Sequence, residues 1–165
     1  MAAKKNQKQT ITKEEIKKTQ VAWGNGIVKI GEAYTNEGYQ KAKEVATALI
    51  NKHYDYQNEH VLFKPTLAAI KPFRLDFEGA LSYFVGGNPN YPEDNGFALK
   101  PYIDVCWENK GDRITGNMAV SMGHYYFYIT PNEFVKVEYS FAYTKDKDGQ
   151  LKIVLHHSSL PYNPE

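Results

Sequence analysis

The C-terminal half of the chain constrains the fold most, because strand-like runs alternate there with short turn sequences. Four runs rich in aromatic and β-branched residues lie at 97–107, 117–129, 134–144 and 151–159. Turn signals separate them, namely Lys110-Gly111-Asp112, Thr130-Pro131-Asn132 and Asp146-Lys147-Asp148-Gly149. Connections this short join antiparallel neighbours, since parallel neighbours need a crossover of about a dozen residues. The sequence therefore predicts an antiparallel meander.

The residues before the meander have helical periodicity. Thr12 and Glu15 form a capping-box pattern at the start of a run whose apolar residues recur at helical spacing. That run contains three glycines, Gly24, Gly26 and Gly31. A helix tolerates glycines where another element packs closely against it. A second helical run follows Gly38, and 61–63 is a short predicted strand. Helices followed by a meander predict an α+β fold, with helices packed on one face of a curved antiparallel sheet.

Composition limits the kind of site that the chain can carry. With 1 Cys and 5 His in 165 residues, the sequence excludes an internal disulfide and a thiolate-rich metal site. A net charge of +1 gives no general attraction for nucleic acid, and no apolar run approaches the about 18 residues of a membrane span. We therefore expect a cytoplasmic protein with no nucleic-acid or membrane partner. Its predicted organisation is a disordered basic leader at 1–10 and a single domain at 11–165.

Comparison with familiar catalytic and binding motifs identifies few candidate site residues in this sequence. The segment Gly24-Asn25-Gly26 lacks the remaining glycine of a dinucleotide fingerprint and lies in a helix, so it is a packing feature. The turn at 146–149 lacks the later ligands of a calcium loop. Cys106 lies in the middle of a strand and is predicted to be a small buried hydrophobe.

Adjacent polar side chains mark the last predicted strand. Strand alternation divides it into two sets, Ile153, Leu155, His157 and Ser159 on one face and Val154, His156, Ser158 and Leu160 on the other. Adjacent histidines on opposite faces cannot chelate one ion. A hydroxyl and an imidazole two residues apart can line one cavity wall and move protons near neutral pH, which favours His157 and Ser159 as site residues. The plainer interpretation is an edge strand whose polar groups are hydrogen-bonded.

Four segments of this chain resemble one known family. They are Val61-Leu62-Phe63-Lys64-Pro65-Thr66, Ser82-Tyr83-Phe84-Val85-Gly86-Gly87, Lys136-Val137-Glu138-Tyr139 and His156-His157-Ser158-Ser159-Leu160-Pro161-Tyr162. These segments look like the iota-class carbonic anhydrases. That class is similar to the association domain of calcium/calmodulin-dependent protein kinase II, within the nuclear transport factor 2-like superfamily. The resemblance extends over about residues 11–162, nearly the whole chain.

The resemblance implies a cone-shaped α+β barrel with a pocket inside the cone and homodimers formed through the sheet. It also implies reversible hydration of carbon dioxide to bicarbonate. Some members of the class have been described as manganese-dependent and others as working without metal. Because this sequence lacks a cluster of three His or Cys ligands, we favour hydration with no cofactor, with manganese or zinc as the alternative.

Carried over residue by residue, the resemblance implies a catalytic set of Thr66, Tyr83, His157 and Ser159. His156, Ser158 and Phe84 are assigned to substrate binding or to support of that set. The hydroxyl groups would hold a water molecule and the developing carboxylate oxygens, since fixed dipoles stabilise charge without reorganising during the reaction. His157 would relay the proton.

Two other functions remain open from the sequence. The first is an isomerase or cyclase of the same superfamily, which would use a pocket carboxylate as its base, with Asp104 or Glu138 as the candidate. The second is a non-catalytic association module whose pocket binds a small ligand. The His-His-Ser-Ser run has no evident role in isomerase chemistry, so the sequence favours the anhydrase.

Overall fold

The structure is a computed structural model that describes residues 10–165. Its helices are α1 (Lys13–Glu37), α2 (Tyr39–His53) and α3 (Phe77–Val85), with a 3-10 turn at Phe97–Leu99. Its strands are β1 (Leu62–Lys64), β2 (Asp104–Thr115), β3 (Met118–Thr130), β4 (Glu133–Lys145) and β5 (Leu151–Ser159). The predicted basic leader, apart from Thr10, lies outside the described residues.

The five strands form one sheet in the order β1-β5-β4-β3-β2. Strands β2 to β5 pair antiparallel with their sequence neighbours, so the predicted meander is confirmed. Its first predicted turn is wrong, because 110–112 lies within β2 and the chain turns at 116–117. The first strand also begins later than predicted, at Asp104. Strand β1 adds to the free edge of β5 in parallel, with Phe63 opposite His156. The sequence predicted this strand but not its partner, because a three-residue run carries no register information.

Helix α1 lies against one face of the sheet, which we call the inner face. The helix begins at a capping box in which the Thr12 hydroxyl accepts from the Glu15 N–H at 3.1 Å and the Glu15 carboxylate accepts from the Thr12 N–H at 2.9 Å. A Cβ atom on Gly31 would lie 2.5 Å from the Lys100 carbonyl oxygen. This close approach is the reason that a glycine stands inside the helix. The predicted α+β architecture is confirmed.

Three irregularities interrupt the sheet, and one of them lies between Tyr128 and Thr130 in β3. In β2 the register shifts between Asn109 and Gly111. In β5, Ala142 pairs with Leu155 and Tyr143 pairs with Ile153, so Val154 is an extra residue. Such a bulge reverses the alternation of every residue beyond it.

Because of the bulge in β5, the predicted division of the last strand into two faces is wrong. Ile153 is buried before the bulge, and His156 and Ser158 are buried after it, each with 2 % exposure or less. The prediction that Ile153 and His157 share a face is therefore wrong. His157 is exposed on the outer face of the sheet.

Cys106 also differs from its prediction. It is exposed, because it pairs with Tyr126 on the outer face. Among residues 10–165, no helix is both long enough and apolar enough to span a bilayer.

Candidate functional site

Four polar side chains meet within the aromatic core on the inner face, and we call them the inner cluster: Tyr54, Tyr125, His156 and Ser158. The Tyr54 hydroxyl lies 2.8 Å from His156 Nδ1. On the other edge of the imidazole, Nε2 lies 3.1 Å from the Tyr125 hydroxyl and 3.0 Å from Ser158 Oγ. The Tyr125 and Ser158 hydroxyl groups also contact each other directly. All four residues are at most 2 % exposed.

Three neighbouring strands hold the His156 ring between two phenyl rings. Phe63 on β1 and Phe141 on β4 are its direct partners across the sheet. Their ring centroids lie 4.7 Å and 4.1 Å from the imidazole, with interplanar angles of 18° and 22°. This stacking fixes the plane of the ring and leaves only its two nitrogen edges for polar contacts.

Burial governs the ionisation of the cluster. It lowers the pKa of His156 well below the ordinary value of 6.5, because a buried imidazolium loses its hydration, and the neighbouring His157 adds to the effect. The same loss of hydration raises the pKa of Tyr54 well above 10. At neutral pH the cluster therefore holds a neutral imidazole and protonated hydroxyl groups, which are hydrogen-bond donors without charge.

Two of the predicted site residues, Thr66 and Tyr83, lie beside this cluster. The Tyr83 hydroxyl accepts from the backbone N–H of Leu67 at 3.4 Å, and the Thr66 side chain is a further hydrogen-bonding partner. The Tyr83 ring meets Phe63 edge-on at 5.9 Å between centroids. Because Phe63 also stacks on His156, Tyr83 lies one ring away from the imidazole.

Tyr83 also connects the interior to the surface. It lines a cavity of about 300 Å³ together with Leu67, Phe97 and Lys100. The Phe97 ring stacks on Tyr83 at 5.4 Å. The cavity therefore reaches the Tyr83 side chain, which is separated from His156 by the Phe63 ring.

The other predicted catalytic residues lie elsewhere. His157 and Ser159 line a groove of about 340 Å³ on the outer face of the sheet, together with His124 and Glu138. The structure does not bring them together with Thr66 and Tyr83. The resemblance implies pocket positions for them, but the bulge at Val154 puts them on the outer face.

Phe84 and the candidate bases of the isomerase alternative also have definite positions. Phe84 is 1 % exposed and stacks on Phe63 at 5.9 Å, so it is part of the wall behind the cluster. Asp104 and Glu138, by contrast, are both exposed. Neither of the two carboxylates points into the interior, which an isomerase base would require.

Sequence reasoning missed Tyr54, Tyr125 and Trp23, whose indole Nε1 donates to the Tyr54 hydroxyl at 3.1 Å. All three follow an apolar pattern in the sequence, Trp23 and Tyr54 on helix faces and Tyr125 in alternation with Phe127. Periodicity identifies them as core residues. It gives no indication that their polar atoms converge on one histidine.

The polar groups of the inner cluster are three hydroxyl groups and one imidazole. Among residues 10–165, no group of three or more His, Cys, Asp or Glu side chains could hold a metal ion. The fold and the inner cluster define an α+β protein whose interior holds a buried set of hydroxyl groups around one histidine.

Comparison with known proteins agrees with this class. Residues 14–160 match the family model described as metal-independent carbonic anhydrase. A protein named metal-independent carbonic anhydrase from Nostoc sp. (strain PCC 7120) is 42 % identical over 153 residues, which are 92 % of this chain and 75 % of that protein. The chain therefore belongs to the metal-independent carbonic anhydrase family.

A solved structure gives the same result. The iota-carbonic anhydrase from a cyanobacterium, crystallised with bicarbonate, superposes with a TM-score of 0.92 at 41 % identity, covering 94 % of this chain and 96 % of that one. A weaker likeness, with a TM-score of 0.49 at 12 % identity over 81 % of this chain and 93 % of the other, is to a calcium/calmodulin-dependent protein kinase type II association domain from Thiobacillus denitrificans. The predicted family is confirmed. The family is described as metal-independent, in agreement with the prediction that this chain hydrates carbon dioxide with no cofactor.

Proposed function

We propose that this chain is an iota-class carbonic anhydrase that hydrates carbon dioxide reversibly to bicarbonate without a metal ion, at the inner cluster. The family match over residues 14–160 supports the activity. So does the similarity to an iota-carbonic anhydrase whose solved structure contains bicarbonate. The observation that carries the location is the convergence of buried hydroxyl groups on a neutral His156.

The chemistry requires a pocket that accepts two different molecules. Carbon dioxide is apolar and fits against aromatic walls such as those of Phe63 and Phe127. On hydration, a water oxygen bonds to carbon, one C=O electron pair moves onto oxygen, and one proton leaves for the solution. The product is an anion that needs hydrogen-bond donors. Donors fixed in a pocket that excludes water stabilise the developing charge without reorganising.

Each of the proposed residues has a part in this step. Ser158 and Tyr83 supply hydroxyl donors for the carboxylate oxygens, and Thr66 lies beside Tyr83 as a third hydroxyl group. His156 is neutral and holds Ser158 through Nε2 at 3.0 Å. We propose that His156 and Ser158 occupy the site in place of His157 and Ser159, because the latter pair lies across the sheet from Thr66 and Tyr83.

The activity is tested by stopped-flow hydration of carbon dioxide with the purified chain. We expect catalysis above the uncatalysed rate, and we expect it to persist after treatment with a chelator and verification that the protein is free of metal. The chain unfolded in urea serves as the control for buffer catalysis. Loss of activity on chelation, with recovery on adding manganese or zinc, would contradict the metal-free mechanism. No catalysis in either state, together with retained bicarbonate binding, would favour a non-catalytic binding module.

We propose further that two chains associate through the outer face of the sheet, as the resemblance to the family implies. A row of residues in register crosses that face, from Val120 through Ala142 and Leu155 to Leu62. Val120 and Leu62 are 47 % and 58 % exposed. Continuous apolar surface of this kind is typical of protein–protein contacts, and one copy can offer it to the same face of a second copy.

Sedimentation equilibrium tests the dimer. We expect twice the mass of the 18.9 kDa chain for the wild type and the monomer mass for Val120→Lys, which puts a charge into the apolar row. Val21→Lys is the matched control, because Val21 is 54 % exposed on α1, away from the outer face. A wild-type chain that stays monomeric at all concentrations would contradict the proposal. The cytoplasmic location stays a prediction.

A further inference from the structure

We propose that Trp23 and Tyr54 are positioning residues that hold His156 in the tautomer with its proton on Nε2, so that His156 serves the site as a hydrogen-bond donor and not as a base. This inference deepens the proposed function and rests on it. The hydrogen bonds from Trp23 to Tyr54 and from Tyr54 to His156 are buried, and the hydrogen atom that each group carries determines the tautomer of the imidazole.

The chain starts at a group that can only donate. The indole Nε1 of Trp23 carries one hydrogen and has no acceptor lone pair, and it lies 3.1 Å from the Tyr54 hydroxyl. The Tyr54 oxygen therefore accepts from Trp23. Its own hydrogen is then free to donate, and His156 Nδ1 lies 2.8 Å away. Tyr54 is 1 % exposed, so its hydrogen cannot turn to bulk water instead.

Donation from Tyr54 fixes the state of the imidazole. A nitrogen that accepts a hydrogen bond carries no proton, so Nδ1 is unprotonated and a neutral His156 has its proton on Nε2. The opposite tautomer would put a hydrogen on Nδ1 that points at Tyr54, and it would leave the buried Tyr54 hydrogen without this acceptor. A buried donor without an acceptor costs about 1–3 kcal/mol.

The aromatic stacking prevents the His156 ring from rotating away from Tyr54. Phe63 and Phe141 cover the two faces of His156 at 4.7 Å and 4.1 Å between centroids. Rotation of the imidazole about its Cβ–Cγ bond, which would turn Cδ2 toward Tyr54 in place of Nδ1, would drive the ring into one of these phenyl rings. The Tyr54 hydroxyl therefore always faces Nδ1.

The positions of the hydrogen atoms on Nε2, Tyr125 and Ser158 also show which donor the inner cluster has left for a ligand. The Nε2 hydrogen is shared by the Tyr125 and Ser158 oxygens at 3.1 Å and 3.0 Å. One of those two hydroxyl groups donates to the other, since their oxygens are in direct contact. The remaining O–H is not used by any of these contacts. An oxygen of a bound carboxylate group is the acceptor that this leftover hydrogen would take.

The burial of the ring agrees with the donor role. The pKa of His156 is lowered well below 6.5, chiefly because the imidazolium loses hydration in the core. Its Nδ1 lone pair is occupied by Tyr54 and its Nε2 lone pair does not exist in this tautomer. Consequently neither nitrogen is available to take a proton from water.

Nitrogen-15 NMR of the histidine side chains in the intact protein tests the inference directly. We expect His156, recorded without substrate at neutral pH, to show a pyrrole-type Nε2 and a pyridine-type Nδ1. In Tyr54→Phe, which removes only the hydroxyl, we expect a mixture of the two tautomers. We also expect kcat/KM for carbon dioxide hydration to fall by roughly 10- to 100-fold, the usual effect of removing a partner that fixes the tautomer and orientation of a functional imidazole.

Tyr143→Phe is the matched control, because it removes another buried tyrosine hydroxyl, one that accepts from Gln20 at 3.3 Å and does not contact the inner cluster. It is expected to leave the His156 spectrum unchanged and the activity within about twofold of wild type. A wild-type His156 with its proton on Nδ1, or an imidazolium at neutral pH, would overturn the inference even if Tyr54→Phe did not fold. A folded Tyr54→Phe protein with the wild-type His156 spectrum and wild-type activity would also overturn the inference. An inactive wild-type chain would instead overturn the proposed function, and the spectra, which need no substrate, distinguish the two failures.

Discussion

Replacement of Ser158 by alanine is expected to lower kcat/KM for carbon dioxide hydration by about 100-fold or more, the usual effect of removing one fixed donor to a developing oxyanion. The Ser158 hydroxyl is 2 % exposed and contacts both the Tyr125 hydroxyl and His156 Nε2. Its loss removes the donor and also leaves the imidazole with one fewer acceptor. The fold should survive, since the change deletes a single oxygen atom. Stopped-flow kinetics with a circular dichroism spectrum of the variant measures both.

The next residue along the chain provides the control. Ser159→Ala makes the same chemical change on the outer face of the sheet, where Ser159 pairs with Glu138 and lines a surface groove. We expect its activity to stay within about twofold of wild type. The reverse outcome, an active Ser158→Ala and an inactive Ser159→Ala, would return the catalytic role to the face that the uninterrupted alternation of β5 predicted.

Replacement of Asp94 by alanine is expected to reduce the free energy of unfolding by about 3–5 kcal/mol, because it removes the hydrogen-bonded counter-ion of a buried guanidinium and leaves only the Glu93 carboxylate, at 3.6 Å. The Arg74 side chain is 0 % exposed, and its two terminal nitrogens donate to the Asp94 carboxylate at 2.6 Å and 2.7 Å. The Ser82 hydroxyl donates to the same carboxylate at 2.6 Å. The pair thereby ties the loop that follows β1 to helix α3.

This ion pair matters for the site as well as for stability. The loop held by Arg74 includes Thr66 and the Leu67 N–H, while α3 carries Tyr83, and these three groups meet at the Tyr83 hydroxyl. The distance between loop and helix therefore depends on a contact that is remote from the substrate. We expect any folded Asp94→Ala protein to be less active than wild type.

Urea denaturation followed by circular dichroism measures the loss of stability. Glu44→Ala is the control, since it removes the partner of Lys41 from an ion pair at 3.6 Å whose side chains are 45 % and 59 % exposed. Exposed pairs of this kind contribute only about 0–1 kcal/mol. Equal and small changes in the two variants would contradict the role assigned to the buried pair.

The sequence alone predicted the architecture well, because the signals involved are local. The Thr12–Glu15 capping box, the apolar stripe of α1 and the turns between β3 and β5 each depend on a few neighbouring residues. The parallel addition of β1 to β5 was not predicted. That pairing depends on residues about 90 positions apart in the chain, and no local pattern specifies it.

The candidate site was predicted only in part, and a single residue accounts for most of the difference. Thr66 and Tyr83 were identified from the resemblance and lie beside the inner cluster. His157 and Ser159 were carried over from the resemblance, and strict alternation grouped them with Ile153 on one face. Val154 bulges out of the β5 ladder, so the two faces exchange between Ile153 and His156. A bulge depends on the fit between two strands, which the sequence of one strand does not reveal.

The location of bound bicarbonate tests the account most directly. A crystal structure of the wild-type chain soaked in bicarbonate distinguishes the two faces of the sheet, which are separated by its full thickness at β5. We predict that the anion lies on the inner face, with one oxygen within hydrogen-bonding distance of Ser158 Oγ and another near the Tyr83 hydroxyl. Bicarbonate bound only in the outer groove, against His157 and Ser159, would contradict the account.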